Sequence, residues 1–140
     1  MPSFKVFDIA GSGLSAQSVR LNTVASNLAN ADSVSGDPNA VYKARHPVFE
    51  AVKASLNSQQ QSGGNAAVRV RGIMESNAAP MARYEPGNPL ANSEGYVYAP
   101  NVNVVEEMTD MISASRAYQN NIEVMNTSKE LMLATLKLGQ

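Results

Sequence analysis

Apolar residues in the first thirty positions recur at seven-residue intervals. Phe7, Leu14, Leu21 and Leu28 form one row, and Ala10, Gln17, Val24 and Ala31 follow each by three. This is the a/d seam of a heptad pattern with one polar entry, Gln17, and it predicts a helix over residues 4–31. The intrinsic propensity of the stretch is poor. Gly11 and Gly13 each cost about 1 kcal/mol relative to alanine, and Ser12, Ser15, Ser18, Asn22, Thr23, Ser26 and Asn27 are further weak helix formers. Such a helix forms when something packs on it and frays when nothing does.

A second and stronger helical pattern runs over residues 103–138. Asn103 followed by Glu106 fits a capping box, and Glu107 and Asp110 place negative charge where the helix dipole favours it. Lys137 and Gly139 mark the far end. One stripe reads Val104, Met108, Met111, Ser115, Tyr118, Ile122, Met125, Lys129, Met132, Leu136, with Ile112 and Leu133 widening it. At 1.5 Å per residue the helix is about 50 Å long, more than a domain of this size can cover from end to end. Part of it must protrude or be covered by another molecule.

Between the helices the texture changes to Gly, Pro, Asn and short strand-like runs. "AVYKARHPVFEAV" and "AAVRVRGIM" carry β-type residues, and Val68, Arg69, Val70 and Arg71 alternate with period two. "NSQQQSGGN" (57–65) reads as a loop between them, and "EPGNPLANSEG" as turns before a further run, "YVYAPNV". The predicted class is therefore α+β. Two long terminal helices (residues 1–33 and 103–140) pair as a coiled coil, with a small irregular β-containing segment (34–102) between them.

Composition narrows the function classes. Of the 140 residues, 16% are charged and the formal net charge is −1. A charged share below the usual quarter means weak self-repulsion and surfaces that tolerate stacking. Without a basic excess to follow phosphates, nucleic acid is a poor partner. There is no cysteine, which excludes disulfides and thiolate metal sites. Lys5 and Asp8 interrupt the apolar residues at the start, so no cleaved leader is expected, and no window approaches the roughly 18 apolar residues of a membrane span.

Catalysis finds little footing. His46, the one histidine, precedes Pro47 in a strand-like run with no nucleophile or orienting carboxylate marked near it, and reads as a surface or packing residue. "GSG" at 11–13 lacks the preceding strand and following Lys-Ser/Thr of a phosphate cradle and reads as a flexible spot in the first helix. Arg69 and Arg71 read as the wet face of a strand rather than an anion patch. Met108, Met111, Met125 and Met132 could line an adaptable groove, but at helical spacing they are more simply core. No cofactor, metal or small-molecule substrate is expected.

The polar side of the last helix, in "SRAYQNNIEVMNTSKELM", is mostly Asn, Gln, Ser and Thr rather than Lys and Glu. A solvated helix gains from charged heads, whereas a face buried against other proteins is better served by neutral amides that donate and accept at once. A mediocre solvent face is the plain alternative. On the first reading the assembly interface comprises Phe7, Leu14, Leu21, Asn27, Leu28, Asn30, Met108, Met111, Tyr118, Asn120, Asn121, Ile122, Met125, Met132 and Leu136.

The same residues carry a resemblance. Ser26-Asn27-Leu28-Ala29-Asn30, followed by a turn and Tyr42-Lys43, resembles the N-terminal signature of the bacterial flagellar axial proteins of rod, hook and hook–filament junction. Glu107-Met108, Ala114-Ser115-Arg116-Ala117-Tyr118-Gln119-Asn120-Asn121 and Leu138-Gly139 resemble the C-terminal one. "EPGNPLANSEGYVYAPNV" and the chain length are similar to the proximal-rod subgroup. One departure is that "ADSVSGDPNAVYK" is longer than the usual turn and has Val41 where the general pattern has Gly before Tyr.

The resemblance implies a structural subunit, exported unfolded through the flagellar type III apparatus, that polymerises with copies of itself and other rod subunits in the periplasm. It further implies terminal helices that order on assembly into an inner tube transmitting motor torque to the hook, with the middle segment outside. The rival is a soluble helical adaptor holding a partner helix in a Met-rich groove.

Overall fold

A computed structural model describes residues 2–53 and 66–138, with side chains over 5–52 and 66–138. The 57–65 loop and the helix-end signal at Gly139 lie outside the described residues. The elements run α1 (Pro2–Ala29), β1 (Arg45–Lys53), β2 (Ala66–Glu75), β3 (Met81–Tyr84), β4 (Tyr96–Ala99) and α2 (Val104–Leu138). The chain is α+β, with a helix at each end and strands only in between.

The helices pack side by side and antiparallel. Gly13 meets Asn121, Arg20 bonds Asp110, and Asn27 bonds Glu107. Gly13 lies fourteen residues before Asn27 on α1, and Asn121 fourteen after Glu107 on α2, so one antiparallel register joins the two contacts. Carried one heptad further, it sets Val6 opposite Ser128. The end of α2 beyond Met132 therefore runs past the start of α1. The 35-residue α2 spans ~52 Å and the 28-residue α1 ~42 Å.

The inward faces are built from small and polar residues. Ala10, Ala16, Thr23, Val24 and Asn27 are buried on α1, and Glu107 and Ala114 on α2. Small side chains let the backbones approach closely, at the expense of apolar area removed from water. Phe7, Leu14, Leu21 and Leu28 are only half-buried, as are Met111, Tyr118, Met125 and Met132. The expected stripe on α2 is thus displaced: its centre is Glu107–Ala114–Asn121, and the methionine row flanks it. Asn103 caps α2 as its spacing to Glu106 predicts, its Oδ1 accepting from the amides of Val105 (3.1 Å) and Glu106 (3.4 Å).

The glycines of "GSG" are helical, and they differ. A Cβ on Gly13 would stand 2.9 Å from Nδ2 of Asn121, whereas one on Gly11 meets nothing within 4 Å. Gly13 is a contact point between helices rather than a flexible spot. Gly11→Ala is expected to stabilise the chain by about 0.5–1 kcal/mol. Gly13→Ala should gain little, because Asn121 must leave the carbonyl of Ala117 that it bonds at 2.9 Å. Urea unfolding of the two variants checks this, and equal gains would contradict the register.

β1 and β2 form an antiparallel hairpin with a bulge between Val48 and Phe49. The hairpin lies along α1: the amide of Val68 donates to Ser12 Oγ at 3.1 Å near one end, and Arg45 meets Asn27 at the other. Arg69 pairs with Glu50 and Arg45 with Glu75 on its exposed side. A two-stranded hairpin is marginal by itself, so its contact with α1 matters to its stability.

β3 pairs with β4, and Tyr84 stacks edge-on against Tyr96 across them, with ring centroids 5.2 Å apart. Gly95, at φ +82°, turns the chain into β4. Ser35 bridges to Tyr98, and Val97, Ala99, Val41 and Ala44 are buried in this second, smaller cluster. No helix of the described residues is long and apolar enough to cross a membrane.

Candidate assembly interface

The expected interface residues fall into three groups. Phe7, Leu14, Leu21 and Leu28, with Met111, Tyr118, Asn121, Met125 and Met132, line the margins of the helix pair, each partly covered and partly open. Asn30, just past the end of α1, is also partly covered, its side-chain amide donating back to the carbonyl of Ser26 in the last turn at 2.8 Å. Met108, Asn120, Ile122 and Leu136 are exposed on α2.

Asn27 departs from expectation. It is 0% exposed, and its hydrogen bonds are made inside the chain, so it offers no amide to a neighbour. Nδ2 donates to the carbonyl of Arg45 and to Oε1 of Glu107, each at 2.9 Å. Oδ1 accepts from the amide of Arg45 and from the hydroxyl of Tyr42, again at 2.9 Å. Those are all the bonds a carboxamide can make. The Tyr42 hydroxyl also lies 3.2 Å from Ser26 Oγ, and the Arg45 guanidinium sits over the Tyr42 ring at 5.7 Å.

Glu107, Tyr42 and Arg45 were not singled out as partners by the sequence. The available signal was spacing. Glu107 precedes Ala114 and Asn121 by seven and fourteen, a row that hydrophobicity ignores because none of the three is large and apolar.

Around α2 several large apolar side chains are left uncovered among the described residues. Val105 is 73% exposed, Ile112 54%, Leu131 63%, Leu136 69% and Leu138 88%, and Met108, Val124 and Leu133 are about half exposed. A soluble monomer seldom leaves so many large apolar groups along one element. The methionines do not share one groove, since Met108 faces outward while Met111, Met125 and Met132 sit beside α1. His46 stands exposed on β1 opposite Met74. Among the described residues no group of acidic or histidine side chains is placed to hold a metal.

Comparison with known proteins decides the family. The description "Flagella basal body rod protein" matches residues 7–36, and "Flagellar basal body rod FlgEFG protein C-terminal" matches residues 93–138. The flagellar basal-body rod protein FlgC of Salmonella typhimurium is 54% identical over the whole of both chains. The chain belongs to the FlgC family of flagellar basal-body rod proteins. The FlgC of Escherichia coli O157:H7 is also 54% identical over both full lengths. That of Bacillus subtilis is 36% identical over 151 aligned positions, again covering both chains. The two family matches fall on most of α1 with the turn after it and on β4 with α2, and Asn27 and Glu107 of the buried cluster come one from each.

Proposed function

We propose that this protein is a non-enzymatic structural subunit of the flagellar basal-body rod, co-assembling with other rod subunits and copies of itself through its terminal helices. The number of uncovered large apolar side chains on α2, from Val105 to Leu138, is the observation that carries this reading. Those side chains gain ~25 cal/mol for each Å² of apolar surface a neighbour removes from water. The overhang of α2 beyond Met132 reaches where α1 of the same chain cannot, and so suits a contact with another subunit.

Torque then passes through many close contacts, as packed interiors transmit strain. The weak helix formers of α1 serve export, because a helix that needs packing is easily unfolded for passage through the type III apparatus and re-forms in the periplasm on assembly. Looseness in the free chain is expected at residues 5–12 and 131–138, away from the buried cluster at Asn27.

The test is to remove the protein from a flagellated cell and restore it with an epitope-tagged copy. Motility should be lost and regained, and the tag should fractionate with purified basal bodies. Intact rods in the deletion strain would overturn the proposal. Hydrogen exchange on a verified monomer should show rapid exchange in the two loose stretches and slower exchange at residues 23–29 and 107–114.

A further inference from the structure

The carboxamide of Asn27 joins two parts of the chain that have no need to be joined for either to exist. Three of its four hydrogen bonds hold the segment leading into the hairpin: the Tyr42 hydroxyl, the Arg45 amide and the Arg45 carbonyl. The fourth holds α2 through Glu107. We infer that Asn27 is the positioning residue that fixes the outer hairpin relative to the paired helices, so that loosening either attachment loosens the other.

The physical basis is the shape of the group. A carboxamide is planar, with two N–H bonds and two lone pairs at fixed angles, and all four directions are taken here. If the hairpin swings, the plane follows Arg45 and the bond to Glu107 is lost. If α2 shifts, the amide turns toward Glu107 and gives up the Arg45 carbonyl. Asn27 is fully enclosed, so no solvent replaces a lost partner.

Glu107 makes the link steeper. Its Oε2 is buried and has no hydrogen-bond partner among the described residues, so Oε1 depends on Asn27. On the other side Arg45 sits at the base of the hairpin, where the amide of Ser76 donates to the carbonyl of Ala44 at 2.7 Å and Arg45 stands opposite Glu75. Holding that base sets the direction of the strands beyond it. Coupling between two such attachments is reciprocal.

The experiment is residue-resolved hydrogen exchange on the full-length chain with three variants. Glu107→Ala touches only the helix side, and Tyr42→Phe only the hairpin side. Glu107→Ala should speed exchange at the Arg45 amide at least about fivefold, and Tyr42→Phe should do the same across residues 107–111. Glu107→Gln, which keeps an acceptor oxygen for Asn27, should return Arg45 close to the unaltered rate. The amide of Tyr98, bonded to Ser35 at 2.8 Å, should not change in any variant.

Effects confined to the altered side would overturn the inference. So would a uniform rise that includes Tyr98, which marks general destabilisation, or an Arg45 amide that exchanges freely in the unaltered chain. The measurement needs no rod, so it stands or falls separately from the assembly role.

Discussion

Asn27→Ala is expected to lower the unfolding free energy by about 3–5 kcal/mol, among the largest effects a single substitution can have here. The deletion removes one side chain but strands four groups: both backbone atoms of Arg45, the Tyr42 hydroxyl and the Glu107 carboxylate. Each buried group left without a partner costs about 1–3 kcal/mol. Tyr42 recovers some of this through Ser26, 3.2 Å away, which keeps the total below a simple sum.

Asn27→Asp should be no milder. It keeps the acceptor but loses both N–H donors and sets a second carboxylate beside Glu107, which is 5% exposed. Asn30→Ala is the contrast. From just past the end of α1 its side chain bonds the carbonyl of Ser26 in the last helical turn, and its loss should cost within ~1 kcal/mol. Urea unfolding of the three variants separates them, and equal losses at Asn27 and Asn30 would show that the buried network carries no special weight.

Asn27 and Asn30 look alike in the sequence, three residues apart in one signature and both within the predicted first helix. Heptad spacing located the two helices and their ends to within a residue or two, because rows such as Phe7/Leu14/Leu21/Leu28 persist whatever lies opposite. It did not show which row sits at the centre. At the centre are Ala10, Ala16, Gly13 and Ala114, whose merit is the small size that lets two backbones meet, and a hydrophobic pattern weighs them lightly.

Glu107 was legible as a first-turn carboxylate favoured by the dipole. That it is buried depends on Asn27, 80 residues away, and no local rule carries such a dependence. β3 is a similar case. "MARY" has no period and is exposed at all four positions, and it is a strand because β4 lies beside it. β1 and β2 were readable as strand-like runs, helped by the alternation of Val68 to Arg71, whereas their pairing was not.

Part of α2 was expected from its length to be covered by another molecule, and Ile122→Asp tests that expectation. Ile122 is 39% exposed, so a carboxylate there can turn into solvent in the free chain and should alter its unfolding by no more than ~1 kcal/mol. In a rod built through this face the same carboxylate would be taken out of water with no positive partner in view, which costs several kcal/mol. Incorporation into basal bodies should therefore fall by at least about tenfold, equivalent to 1.4 kcal/mol, and swimming should be lost, while the isolated variant keeps the exchange pattern of the unaltered chain around Asn27. Leu136→Asp, on the overhanging end of α2 at 69% exposure, should behave alike for a different reason: it has no α1 residue opposite to lose. A variant pair that swims normally and enters the rod at full occupancy would mean that subunits meet elsewhere, and that the exposed apolar side chains of α2 have some other purpose.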